Sequence, residues 1–254
     1  MVCLIATAAP AGDAALPGAS LQRAVRGGTS AAGPSVQSMI VGSSGAVLSQ
    51  ARTVSASATN LRVGGRSCAV AAGTPLAALA AARRAGGPGF AVRDYGHCGS
   101  SSRNSAQLFV YSIGGQTNSA QNGWEYKVDQ VSGTTGAGDP SGPRGDGRRL
   151  RSGARVLWFW CHASGGGCQR TLAVAPAAST AAAAGSLKVR VLGYDNEGRG
   201  TPVRGAIVTL GSDFASTDAG GHATLITPSE RGRYSLTATR NGLVTSFPET
   251  IVVR

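Results

Sequence analysis

Lysine is almost missing from this 254-residue chain: two of its 24 basic residues are Lys and the other 22 are Arg. Aromatic residues are scarce too, with 13 Trp, Tyr and Phe in all, and there are only three His and twelve Asp or Glu. So thin an inventory argues against catalysis. A serine triad would have to use His97, His162 or His222, but no G-x-S-x-G elbow occurs, and "VGSSGA" reads as a hairpin turn. The acids fall mostly in turn-like segments, as Asp139, Asp146, Asp195 and Asp218 do, and not in pairs suited to acid–base work. "GTTGAGDPSG" lacks the lysine and spacing of a phosphate-binding loop. No catalytic residue is therefore assigned, and a non-enzymatic protein is expected. Beyond its start the chain has no run near the ~18 apolar residues that span a bilayer, so no transmembrane segment is expected.

What is present is charge of one sign. A net charge of +12 attracts polyanions at low salt, whether wall polymers, acidic lipids or nucleic acid. A GC-rich genome is the simpler account of the Arg, Ala and Gly bias.

The start, "MVCLIATAAPAGDAALPG", has an apolar run from Val2 to Ala9 and small residues at Ala6 and Ala8, but no positive charge ahead of them. It reads as a weak secretory leader, or the tail of one beginning upstream. Its removal would take Cys3 and leave Cys68, Cys98, Cys161 and Cys168, an even number that suits a secreted or cell-envelope location. The simplest pairing joins Cys161 to Cys168 and Cys68 to Cys98, worth ~2.5 and ~3.7 kcal/mol on chain-entropy grounds. Zinc competes, because His97 adjoins Cys98 and His162 adjoins Cys161, but neither pair has the C-x-x-C spacing of a strong site. No metal is assigned.

Residues 1–33 read as leader and flexible arm, 34–174 as a first domain, 175–186 ("APAASTAAAAGS") as an Ala-rich linker and 187–254 as a second domain. The first domain opens with a hairpin around residues 42–45. "TPLAALAAARRAGG" follows as a helix: Thr74 caps it, Pro75 occupies its first turn, Leu76, Leu79 and Ala80 mark its buried face, and Gly86 and Gly87 end it. Strands such as "QLFVYSIGG", "GWEYKVDQVSG" and "RVLWFWC" come next. Hairpin, one helix and several strands give an α+β unit of β-grasp type, with one sheet face on the helix and the other left open. The second domain, short strands at regular intervals, reads as a small all-β sandwich.

Two sets of residues are candidates for binding. Alternation along "GWEYKV" and "RVLWFWC" puts Trp124 and Tyr126, and likewise Trp158 and Trp160, on one side of their strands. These rings are either a second mini-core or a shallow platform for a flat ligand. "RGDGRRLRSGAR" packs Arg144, Arg148, Arg149, Arg151 and Arg155 into twelve residues, either a polyanion contact or a solvated loop. A secreted location argues against nucleic acid as the partner.

"CAVAAGTPLAALAAA", "DYGHC", "GWEYKVD", "GAGDPSGP" and "VLWFWC…CQRTL" together resemble a family of secreted bacterial domains related to the C-terminal β-domain of transcobalamin, in the soluble-ligand-binding β-grasp group, over about residues 35–174. The layout is typical of actinobacteria. The resemblance implies a non-catalytic domain that binds a soluble ligand or surface partner. It admits a cobalamin-like ligand, with Trp124 and Tyr126 as contacts, although the companion domain that completes a vitamin site is missing. "GTPVRGAIVTLG…ASTDAGGHATL…RGRYSLTATRNG" is similar to carboxypeptidase-regulatory and transthyretin-like sandwiches, which implies a spacer. The expectation is a monomeric secreted or surface protein that binds an unknown soluble ligand without a cofactor. The alternative is a structural or adhesive envelope protein whose basic loop rests on anionic wall polymer.

Overall fold

Met39, Ile40 and Val41 are consecutive and all fully buried, which a strand achieves only when both its faces are covered. They belong to β1 (Ser35–Val41) in a computed structural model that describes residues 32–254. The leader-and-arm reading, with Cys3, lies outside the described residues except for Ala32 and Gly33. After β1 the chain turns into β2 (Val47–Ser55), makes the hairpin of β3 (Thr59–Val63) and β4 (Arg66–Val70), and enters the helix α1 (Pro75–Arg84). The strands β5 (Phe90–Asp94), β6 (Leu108–Ile113) and β7 (Gln116–Thr117) form a small sheet of their own. Then β8 (Gly123–Val128), β9 (Val131–Ser132) and β10 (Arg155–Cys161) complete the main sheet, in the order β2-β1-β10-β8-β9. Its central strand β10 runs parallel to the neighbouring β1.

Helix α1 forms for local reasons. Thr74 Oγ1 accepts the N–H of Ala77 at 3.2 Å, Pro75 needs no donor at the first turn, and Ala85 N–H closes on Ala81 O. Its residues from Pro75 to Ala82 are all buried, so it is enclosed all round and not amphipathic.

The α+β, β-grasp-like expectation is corrected. The protein is mostly β, with 47% strand and 7% helix spread over several sheets. Size explains why: a ten-residue helix is about 15 Å long and about 10 Å wide, whereas five strands span roughly 19 Å between their outer axes. The β3–β4 hairpin and the β5-β6-β7 sheet help to enclose the core that α1 cannot cover.

The second unit contains β11 (Thr171–Pro176), β12 (Thr180–Ala181), β13 (Ser186–Tyr194), β14 (Gly200–Pro202), β15 (Ile207–Leu210), β16 (Asp213–Ser216), β17 (His222–Ile226), β18 (Gly232–Thr239) and β19 (Glu249–Val253). In one sheet β13 pairs with β11, β14 and β17; the other runs β12-β19-β18-β15-β16. Val189, Val191 and Leu225 of the first meet Val208, Leu236 and Ile251 of the second in a shared core, the anatomy of a sandwich. Strand β11 pairs with β13 along its whole length, so the last strand read into the first domain lies in the second unit's sheet. The Ala-rich stretch from Ala175 to Ser186 contains β12, which pairs with β19; backbone pairing is indifferent to its small side chains.

The two units are packed together. Met39, Val41, Leu157 and Phe159 on one face of the main sheet form a single apolar cluster with Val244 and Phe247 of the sandwich. Arg155 grips Glu249 with both guanidinium nitrogens, at 2.5 and 3.0 Å, and Ser132 N–H donates to Asn196 O at 2.9 Å.

Candidate functional site

Strands β8 and β10 are antiparallel with Tyr126 opposite Trp158 and Trp124 opposite Trp160. Cross-strand neighbours on one face touch, and these do: the Trp124 and Trp160 rings meet edge to face at 5.7 Å, and Tyr126 and Trp158 lie 5.4 Å apart at 42°. The four side chains join α1, Val36 and Ile40 in one core, at exposures of 4% (Trp124), 5% (Tyr126), 1% (Trp158) and 7% (Trp160). The expected open aromatic face is thereby corrected. The helix lies on the same side as the indoles, and the sandwich closes the opposite side through Leu157 and Phe159.

The ring polar atoms differ in their satisfaction. Trp124 Nε1–H donates to Gln116 O at 2.7 Å, and the Tyr126 hydroxyl donates to Thr135 O at 2.9 Å. Burial pushes the Tyr126 phenol up to about 12. Trp158 Nε1–H has no acceptor among the described residues. That indole belongs to the lining of a cavity of about 390 Å³ between β6, β8 and residues 133–137. Gly133 presses so closely on this floor that a Cβ there would run into the Tyr126 ring. Tyr95 and Phe109, 64% and 45% exposed, also line the cavity, with ring centroids 6.3 Å apart. Neither was a sequence candidate. "DYGHC" and "QLFVYSIGG" do show outward aromatics by alternation, but not that β5 and β6 bring Tyr95 and Phe109 side by side.

The five arginines of the basic loop separate. Arg155 is a structural residue held by Glu249, so its inclusion as a polyanion contact is corrected: as the first residue of β10 it sits at the seam between the units. Arg149 Nε–H donates to Pro140 O at 2.7 Å, and Arg151 lies 3.8 Å from Asp129. Arg144 and Arg148 are exposed, and their guanidinium groups have no partner among the described residues.

Cys68 is bonded to Cys98 and Cys161 to Cys168, each pair with Cα atoms 5.1 Å apart. Asp94 approaches the first pair closely enough for the three to resemble a metal-ligand group. Its carboxylate is already engaged: it accepts the N–H of Gly96 at 2.9 Å and of Cys98 at 3.0 Å, and pairs with Arg66. The Gly96 bond above all holds it below the usual carboxylate range. His162 Nε2 meets Ser43 O at 2.7 Å, away from any sulfur ligation.

One residue was missed entirely. Lys127, 1% exposed, points away from the rings and donates to Asp195 O at 2.7 Å, Tyr194 O at 3.0 Å and Thr171 Oγ1 at 3.2 Å. Alternation in "GWEYKV" does place it opposite the aromatics; that a second unit covers that side is not a local signal.

Among the described residues no helix is long and apolar enough to cross a membrane. No family model matches the chain, and no curated protein matches it. The resemblances carried by its motifs rest on those motifs alone.

Proposed function

We propose that this is a non-catalytic, extracytoplasmic binding protein whose first unit takes a small ring-shaped ligand in the cavity beside Trp158, with the sandwich as a rigid backing. The observation that carries the reading is the composition of this cavity, in which the exposed rings of Tyr95 and Phe109 stand beside Trp124, Tyr126 and Trp158. Binding sites favour this composition, apolar and aromatic with a few polar groups. Two disulfides support an oxidising compartment. At about 390 Å³ the cavity is near the small end for drug-sized ligands, which favours one compact ring system over a corrinoid.

The test is titration with 1-anilinonaphthalene-8-sulfonate, followed by its displacement with quinoline and with cyanocobalamin. We expect one site per chain, lost in Tyr95→Ala/Phe109→Ala, a surface double variant that keeps the fold, and displacement by quinoline but not by the corrinoid. Equal dye binding by wild type and double variant would remove the reading.

A second reading, adhesion to anionic wall polymer, is favoured by the free guanidinium groups of Arg144 and Arg148 on the exposed loop.

A further inference from the structure

A second cleft lies where the two units meet, and it is independent of the ring cavity. The β1–β2 turn at residues 42–45 and His162 form one side, and the turns at residues 204–205 and 240–243 of the sandwich form the other, around about 980 Å³. The first wall is braced. Gly42 N–H bonds Ala46 O at 2.8 Å, Ser43 N–H donates to Gln116 Oε1 at 2.8 Å, and His162 Nε2 holds Ser43 O. The second wall carries two arginines, Arg204 and Arg240. Gly205, next to Arg204, has φ of +70°, and a Cβ on it would stand 3.2 Å from Nη1 of Arg240.

The charge in this cleft is uncompensated. Arg204 and Arg240 take part in none of the ion pairs among the described residues, and no Asp or Glu lines the cleft. A concave wall with one sign of charge concentrates counter-ions of the other. Guanidinium forks match the paired oxygens of an oxyanion. Further polar lining, including Ser44, Gln169, Asn241, Thr239 and Thr245, offers hydroxyl and amide groups that suit a polyol. Domain junctions are where such sites concentrate, and this one is held in shape by the Phe247 cluster and the Arg155–Glu249 pair.

We infer that the interdomain cleft binds an oxyanion carried on a polyol, an acidic sugar or a sugar phosphate, through Arg204 and Arg240.

The experiment titrates the full chain by calorimetry with glycerol 3-phosphate and with galacturonate, using glycerol and galactose as the uncharged counterparts. At least one charged probe should bind more tightly than its neutral partner by ~10-fold or more, the effect of one good charge-assisted contact. Which of the two binds better assigns phosphate or carboxylate. Arg204→Ala/Arg240→Ala should lose ~10-fold or more, Arg204→Lys/Arg240→Lys should lose less, and Arg144→Ala/Arg148→Ala should bind as wild type. Both arginine pairs are exposed, and far-UV circular dichroism checks the fold of all three variants. The inference is overturned if neither charged probe binds, if neutral and charged probes bind alike, or if the loop variant rather than the cleft variant loses affinity.

Discussion

Replacing Lys127 with Met should change how stability depends on pH, and the direction follows from where the ammonium sits. Desolvation lowers its pKa from 10.5 to about 8, despite the opposing pull of Asp195 and Glu197. Below about pH 8 the lysine is protonated in both folded and unfolded chains, and the folded state bears the full cost of burying the charge. Between about 8 and 10.5 the unfolded chain still holds a proton that the folded chain has released, so stability rises with pH. Above 10.5 the cost is gone. At ~1.36 kcal/mol per pH unit, that interval amounts to roughly 3 kcal/mol. The Met variant lacks this titration but removes the ammonium donor from Tyr194 O and Asp195 O, the latter keeping the N–H of Gly198 at 3.3 Å, a loss of about 1–3 kcal/mol. Its absolute stability at neutral pH therefore mixes opposing effects, and the pH slope of the difference is the clean quantity. Urea denaturation of both proteins at pH 7.5, 9 and 10.5, with the disulfides kept oxidised, should show wild type gaining roughly 3 kcal/mol relative to Lys127→Met across the range. Other titrations, including that of Tyr126, are common to both proteins and cancel. A difference that stays flat, or that falls with pH, would refute the desolvated-ammonium argument.

Two further outcomes bear on the seam and on the loop. A double-mutant cycle on Arg155→Ala and Glu249→Ala should give a coupling of about 1 kcal/mol at low salt, because the pair is bidentate but its side chains are 31% and 26% exposed, and less in 1 M NaCl; a coupling of zero in urea melts would remove the pair as an interdomain clasp. Retention on a teichoate-coupled matrix should fall steeply between 50 and 200 mM salt, and Arg144→Ala/Arg148→Ala should flatten that slope; an unchanged slope would end the adhesive reading of the loop.

Local chemistry was legible in the sequence where one segment carries its own signal. Thr74, Pro75 and the glycines after Arg84 bound a helix that forms between them. The short loop from Cys161 to Cys168 closes as a disulfide, as does the longer one from Cys68 to Cys98. Period-two alternation sorted Trp158 and Trp160 from Leu157 and Phe159. What alternation cannot carry is the identity of the layer that covers each face. With one sheet face expected on the helix and the other open, the alternation alone left undecided which side of β10 the helix covers. Leu157 and Phe159 are buried under Val244 and Phe247, some 90 residues further along the chain, and that frees the helix to lie on the indoles. The same distant contact took Arg155 out of the basic loop and sealed Lys127 inside.

The consequence for function is a change of place. An indole row that is fully enclosed cannot itself be the platform for a ligand, since burial on both sides of the sheet leaves no ring face free. The two sites proposed above lie at the margins of that core, where covering elements end. One such margin is the rim at Tyr95 and Phe109, beyond the edge of the main sheet, where the unpartnered Trp158 donor lies behind exposed rings. The other is the junction of the two units, where packing stops short of Arg204 and Arg240 and leaves their charge uncompensated. The second margin exists because the sandwich is fixed against the sheet by Phe247, Glu249 and the carbonyls that hold Lys127. Loosening that seam should therefore impair the cleft, which needs both units, before it impairs the ring cavity, which is built from the first unit alone.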